Sequence, residues 1–394
     1  MGANTHFIAT ICFMILSVIV ATPTSTTDST GKGLQDFATK LYSKLAKRDD
    51  QKNIIFSPFS IETILAMIRM GASGQTAEEI DNAVRFNFNN NEKLETNFKK
   101  ILSVFEESNY LKMANKIYVA ENVELRNQFS DILTNFYYAS AENVNFTQNI
   151  KAAEVINSWV AAKTNNLITD LIGADDLDKY TRLVLLNAIY FKDEWAQGFP
   201  ENATRQQKFY VDETDIVNVD MMHMRGLFRY GRSEQLDAAA LELPYKNSDL
   251  RMLIILPNSR YGLEDLRNKL NSYSLEELRG SMFPVLVDVA MPKFKAEYTI
   301  ELKEILQQLG IERLFSHDAE LMNMLNTPEP IEVSKVLHKA FIEVSEKGTE
   351  AAASTGSIGV ALSSVIEFVV DHGFFYKIID TYGTVYFEGS QKEF

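Results

Sequence analysis

The chain has 394 residues, 46% hydrophobic and 23% charged, with a formal net charge of -14 and one cysteine. One cysteine excludes an internal disulfide scaffold and any multi-cysteine metal cluster. The acidic balance argues against broad nucleic-acid binding, which needs positive surface against phosphate, and the length suits one large or two medium globular domains.

No Asp, Glu, Lys or Arg occurs in residues 1–21, and residues 7–21 (FIATICFMILSVIVA) form an almost unbroken apolar run. About 15 apolar residues suit a signal-peptide core better than a bilayer span, which needs roughly 20. We therefore expect residues 1–21 to be a cleaved signal peptide and the protein to be secreted and extracellular. The leading residues carry no Lys or Arg, and an uncleaved anchor or a buried helix are the alternatives. Cleavage would remove Cys12, the lone cysteine, and leave residues 22–33 as a polar lead-in. In a secreted chain the triplets Asn145-Phe146-Thr147 and Asn202-Ala203-Thr204 become N-glycosylation candidates.

Leu34, Phe37, Ala38, Leu41, Tyr42 and Leu45 recur at helical spacing. Residues 53–58 (NIIFSP) predict a short strand ended by proline. Ile61, Ile64, Leu65 and Ile68 continue as a helix closed by Gly71 and Gly74. Thr76 with Glu79 predicts a capping box opening the next helix. Further helices are expected over 91–107, 152–171 and 299–310. Residues 183–191 (LVLLNAIYF) are apolar on both faces apart from Asn187, as in a central buried strand. Strands are also expected over 250–256, 285–290, 366–370, 374–379 and 385–387. No linker, repeat or low-complexity tract divides the chain after Leu34, so residues 34–394 are expected to form one α+β domain.

Motifs of catalysis are absent: there is no G-x-S-x-G elbow, Walker loop or H-E-x-x-H. The histidines, His6, His223, His317, His338 and His372, are scattered. His338, between Leu337 and Lys339 in an apolar-rich stretch, suits a hydrogen-bonded structural role. Lys93, Lys99, Lys100 and Lys112 are interspersed with Glu95, Glu106 and Glu107, which suits a solvated face rather than a polyanion site. No metal or cofactor is expected.

Residues 346–357 (EKGTEAAASTGS) are dominated by small side chains, and the next expected strand starts only near Ile366. Loops beyond about 12–15 residues are usually functional or disordered. Read as a strand, the segment places Thr349, Ala351, Ala353, Thr355, Ser357 and Gly359 on one face. All are small and uncharged, and can enter a packed sheet. The opposite face carries Glu350, Ala352, Ser354, Gly356 and Ile358. No proline follows Gly348, so a central-strand position is open to it. A flexible linker and a loop that later becomes a strand fit this composition equally.

The surroundings distinguish them. Residues 340–344 (AFIEV) with Gly348, Thr349, Glu350, Ala351, Ala352 and Ala353 closely resemble the hinge of the serpins, the serine-protease-inhibitor superfamily. Asn53, Ser57-Pro58, Ser60-Ile61, Gly71-Ala72, Gly74, Thr76 and Glu79-Ile80 resemble that family's first signature. Ile156-Asn157, Trp159-Val160 and Thr164-Asn165 resemble its central helix, and residues 186–192 (LNAIYFK) with Trp195 its long central strand. Met221-Met222, Leu243-Pro244-Tyr245, Pro292-Lys293-Phe294 and Leu309-Gly310-Ile311 follow in order.

The resemblance implies helices around a large central mixed sheet and smaller sheets, with an exposed reactive-centre loop at about 346–366. It implies no enzyme but a suicide substrate that traps a serine protease covalently by inserting the cut loop into the main sheet. It also implies a hinge of Gly348, Thr349, Glu350, Ala351, Ala352, Ala353, Ser354 and Thr355. The family's hinge-to-bond spacing puts the scissile bond between Leu362 and Ser363, and counting back from residues 371–374 (DHGF) gives the same bond. Leucine there suits a chymotrypsin-like target and Val360 with Ala361 an elastase-like one. A trypsin-like target is disfavoured, since no Lys or Arg lies between Lys347 and Lys377. Ser57, Asn187 and His338 resemble the shutter beneath the opening sheet, and Glu346 with Lys293 the pair where the loop enters it. Gly373 stands where the family often has proline. A monomer without nucleic-acid or membrane partner is expected. The alternative is a non-inhibitory member acting as a carrier or storage protein.

Overall fold

A computed structural model of the chain describes residues 28–49, 52–86, 91–106, 108–326, 331–347 and 365–394. The expected signal peptide, the hinge positions Gly348 to Thr355 and the Leu362–Ser363 bond lie outside the described residues. In chain order the first elements are α1 (Asp28–Arg48), β1 (Ile54–Phe56), α2 (Pro58–Gly71), α3 (Gly74–Val84), α4 (Asn91–Glu106) and β2 (Leu111–Ala120). There follow α5 (Asn127–Tyr137), β3 (Ser140–Val144), α6 (Asn149–Lys163), β4 (Leu183–Phe191), β5 (Arg205–Tyr210), β6 (Ile216–Ser233), β7 (Ala238–Pro244) and β8 (Arg251–Pro257). The last are α7 (Leu263–Leu270), α8 (Leu275–Gly280), β9 (Phe283–Pro292), β10 (Phe294–Glu301), α9 (Lys303–Gln308), β11 (Lys335–Val344), β12 (Ile366–Val369), β13 (Phe374–Ile379) and β14 (Val385–Gln391).

Two sheets organise the molecule. A five-stranded sheet has the order β10-β11-β4-β2-β3. Its centre is β4, buried at every position because both faces of the sheet are covered. β4 pairs antiparallel with β2 and parallel with β11. A nine-stranded sheet runs β1-β14-β13-β8-β7-β6-β9-β12, with β5 on β6. β12, the first described strand after β11, lies at its edge, parallel to β9.

Local chemistry explains the placement of α2 beneath the five-stranded sheet. Ser57 caps it, its hydroxyl accepting from the Ser60 N–H at 3.1 Å, and Pro58 takes the first helical position. α2 ends at Gly71, where a Cβ would come within 2.6 Å of Met324.

Several expectations need correction. The helix expected from Leu34 begins already at Asp28. Gly74 opens α3 rather than closing α2, with φ +51. The capping box of Thr76 and Glu79 does not form. The Glu320 carboxylate instead accepts from the Gln75 N–H, while Glu79 accepts from the N–H groups of Glu312 and Arg313. The helix expected over 152–171 stops at Lys163, because Asn165 and Asn166 take left-handed φ of 51 and 58. Within 299–310, the chain stays in β10 to Glu301 and is helical only from Lys303 to Gln308.

Candidate functional site

The site is the seam between β4 and β11. The two strands are separated by a long stretch of sequence yet run side by side, paired from Lys335↔Val184 to Ile342↔Phe191. β11 ends at Val344, and the described residues continue from it to Lys347.

Midway along the seam, three strands align one polar residue each. Asn115 of β2 and His338 of β11 are both in register with Asn187 of β4. The Asn187 amide donates to Asn115 Oδ1, to Ser60 Oγ and, at 3.2 Å, to the Ser60 carbonyl. Its Oδ1 bonds His338 Nδ1 across the seam. His338 Nε2 accepts the Ser57 N–H at 3.1 Å, so Nδ1 carries the proton and donates to Asn187. Burial pushes the His338 imidazole down to about 3, which keeps it neutral. Ser57, Asn187 and His338 are thus brought together, and Asn115 and Ser60 join them. Those two were not foreseen: β2 itself was not recognised, and its Lys112, Asn115 and Lys116 break the apolar pattern expected of a strand.

On the opposite face of the seam lies the segment after α6. Asn165 donates to the Tyr190 hydroxyl of β4 at 2.9 Å. Lys339 of β11 donates to the Asp170 carbonyl and carboxylate, both at 2.8 Å, and pairs with Glu297 at 2.6 Å. Residues 165–170 therefore form a strap across β4 and β11, bonded to each.

The third part is the mouth, at Ser345 to Lys347 just after β11. The Trp195 indole donates to the Ser345 carbonyl at 2.8 Å, and the Trp195 N–H to Lys347 at 3.0 Å. The Glu346 carbonyl accepts the Phe199 N–H at 3.0 Å, and its carboxylate accepts the Thr204 hydroxyl at 3.0 Å. That carboxylate also pairs with Lys293 at 3.0 Å. Burial pushes the Glu346 carboxyl up, but hydrogen bonds from its own backbone, Lys293 and Thr204 outweigh this and hold it below its usual range. Lys293 is raised in turn, chiefly by its bond to Glu346. Glu343, nearby on β11, pairs with Lys192 at 2.7 Å. Trp195, Phe199 and Thr204 were not foreseen as site residues. Lys293 and Glu346, placed by resemblance, do meet.

Residues 32–391 match the family model described as Serpin (serine protease inhibitor). The chain is a serpin. Antichymotrypsin-2 of Bombyx mori is 34% identical over 351 residues, covering 87% of this serpin and 92% of that protein. Antitrypsin of Bombyx mori is 33% identical over 388 residues, covering 96% and 97%. The solved structure of cleaved Serpin 42Da superposes with a TM-score of 0.85 at 38% identity, covering 94% of this serpin and all of that chain. The serpin fold is thus established across the molecule. Membership supports serine protease inhibition, and serpins are inhibitors rather than catalysts. Among the described residues, no helix is long and apolar enough to cross a membrane, and no His/Cys/Asp/Glu group is arranged to hold a metal.

Proposed function

We propose that this serpin is a secreted suicide substrate for chymotrypsin-like or elastase-like serine proteases. The observation that carries the reading is the direct parallel pairing of β4 with β11, next to a loop of small residues. A chain that leaves the end of β11 and folds back into the seam runs antiparallel to both neighbours. One parallel ladder would give way to two antiparallel ones, which are slightly stronger per residue. Residues 349–362 as a strand would span about 46 Å at roughly 3.3 Å each, against a diameter of roughly 54 Å for a globule of this length.

The protease serine oxygen attacks the Leu362 carbonyl carbon, and the Leu362–Ser363 amide breaks. Ser363 leaves as a free amine carrying the proton, and Leu362 stays esterified to the protease. Insertion of residues 349–362 then carries the ester along the sheet before water can cleave it. The Asn187–His338 bond crosses the seam, so it must open to admit the strand. Ser57 steadies the ring from α2, outside the seam. The contacts of Glu346 with Lys293, Thr204 and Phe199 resist premature opening. Asn145 and Asn202 are the proposed glycan acceptors. The working unit is a monomer and requires no cofactor.

Incubation with chymotrypsin should yield a complex that survives boiling in SDS, whereas trypsin should give far less of it. Cleavage near Leu362 without a complex would sink the inhibitory reading. Efficient inhibition of trypsin but not of chymotrypsin or elastase would sink the specificity.

A further inference from the structure

A cluster of three arginines stands on the nine-stranded sheet, outside the seam. Arg229 of β6 is opposite Glu242 of β7 in register, and opposite residues of an antiparallel pair share a face. Arg251 of β8 is opposite Pro244, two positions from Glu242, and so joins the same face. Arg279 comes from the last turn of α8. Its Nε donates to Glu242 Oε1 at 2.8 Å, and Arg251 Nη1 donates to Oε2 at 3.3 Å. Arg229 Nε faces Oε2 at 3.2 Å, and its Nη2 donates to the Arg279 carbonyl at 2.6 Å. Glu242 is 2% exposed, whereas the arginine side chains at 229, 251 and 279 are 38%, 23% and 18% exposed.

Neither charge nor donors balance here. Three guanidinium groups face one carboxylate, a surplus of two positive charges. Among the described residues, no second carboxylate lies within 4 Å of any of the three. Arg251 Nε is buried without an acceptor, and the buried Arg229 Nε has no aligned hydrogen bond. Buried donors are normally satisfied. Arg279 Nη1 makes no hydrogen bond with the described residues and faces the Gly383 turn, 3.6 Å from where a Cβ on Gly383 would stand.

We propose that Arg229, Arg251 and Arg279 form a binding site for one tetrahedral dianion, a phosphate or sulfate group. Guanidinium forks match the geometry of such oxyanions and bind them by charge-assisted hydrogen bonds. Two negative charges offset the surplus, and the part-exposed arginines leave the group a way in from solvent. A long polyanion does not suit the place, because it needs a row of cations. The exposed neighbours on α8 are instead the acids Glu276 and Glu277. One bound group would tie β6, β8 and α8 together. The site is independent of the loop-insertion reading and acts whether or not a strand enters the seam.

The test uses the full chain in phosphate-free buffer at constant ionic strength, held with sodium chloride. Inorganic phosphate, inorganic sulfate and glycerol phosphate are titrated in turn by calorimetry, with melting temperature followed in parallel. Each should bind at one site and raise the melting temperature to a plateau, whereas a general salt effect grows without saturating. Binding by inorganic phosphate and glycerol phosphate alike assigns the site to the anionic group itself, and binding by the inorganic ions alone assigns it to the free ion. Arg251→Gln leaves Glu242 with two arginines and should weaken binding at least about tenfold. Arg251→Lys keeps the charge without the fork and should fall between it and wild type, which separates recognition from misfolding. Arg182→Gln, beside β4 of the other sheet, should bind as wild type does. Absence of saturable binding, or equal affinity of wild type and Arg251→Gln, overturns the proposal. So does a sulfated oligosaccharide that binds far more tightly than inorganic sulfate, since that would reveal a polyanion track.

Discussion

His338 is held neutral by a donor on one side and an acceptor on the other, with burial opposing any added charge. Its folded pKa, about 3, lies below the unfolded value of about 6.5. Between these values the unfolded chain binds a proton that the folded chain refuses. The stabilising contribution is whole above pH 6.5 and is lost as pH falls below it, by up to about 1.4 kcal/mol per pH unit. Urea melts at pH 7.5, 6.5 and 5.5 should show the wild-type midpoint falling, and His338→Gln should show a shallower fall. Equal slopes would remove His338 as the source. Glu62 is the reverse case: buried in α2, its carboxyl is pushed well above the usual range by desolvation. Stability from the protonated acid is present at low pH and declines as pH rises from the unfolded value. Glu62→Gln should therefore raise the urea midpoint at pH 7.5 more than at pH 5, and an equal or lower midpoint at pH 7.5 would contradict this.

Among the elements, the strap after α6 is the part that must yield if a strand enters. Lys339 is 3% exposed, whereas its partners Asp170 and Glu297 are 84% and 46% exposed. Replacing Lys339 by Met removes a buried cation and returns both carboxylates to water, so global stability should move by only about 1 kcal/mol. The strap, however, loses its bond to β11. Conversion of the uncleaved monomer to a non-inhibitory, loop-inserted form at 37 °C should quicken several-fold. An unchanged conversion rate would show that the strap does not limit opening.

The legibility of these elements follows from their patterns. Apolar runs broken only by Asn187 in β4 and Lys377 in β13 give these two strands their observed bounds. β2 and β6 escaped notice because tertiary contacts compensate their polar residues. Lys116 of β2 pairs with Glu142 at 2.5 Å and lies 4.9 Å from the Trp159 ring centre. The end of α6 escaped because left-handed backbone at Asn165 and Asn166 leaves apolar periodicity intact through Leu171. At the mouth, Trp195 and Thr204 carry no local signal of their role, since each meets a residue more than 140 positions away.

At the scale of the whole molecule, the five-stranded sheet joins the parallel strands β4 and β11 at its seam, where the proposed insertion would supply an antiparallel partner to both. Insertion of residues 349–362 would add a ladder on each side, worth on the order of 10 kcal/mol at about 1 kcal/mol per hydrogen bond. Cleavage at the loop should thus raise the melting temperature by about 10 °C or more, read by scanning calorimetry before and after nicking. Thr355→Arg would place a charge on the inward face of the inserting strand, where burial without a partner costs several kcal/mol. That variant should be cleaved by chymotrypsin with little stable complex and little gain in melting temperature. A complex yield equal to wild type would mean that the face is not buried.

The sequence by itself determined the α+β class, the buried central strand, the run of small residues before β12 and the family resemblance, because composition and local periodicity are properties of neighbouring residues. Tertiary structure alone decided that β4 pairs with β11, that Asn115, Asn187 and His338 form one row, and that the turn bearing Asn202 closes on Glu346. A period of two assigns each side chain to a face of its strand. It does not say which strand lies alongside or in which register, and that choice is made by long-range packing of the whole chain.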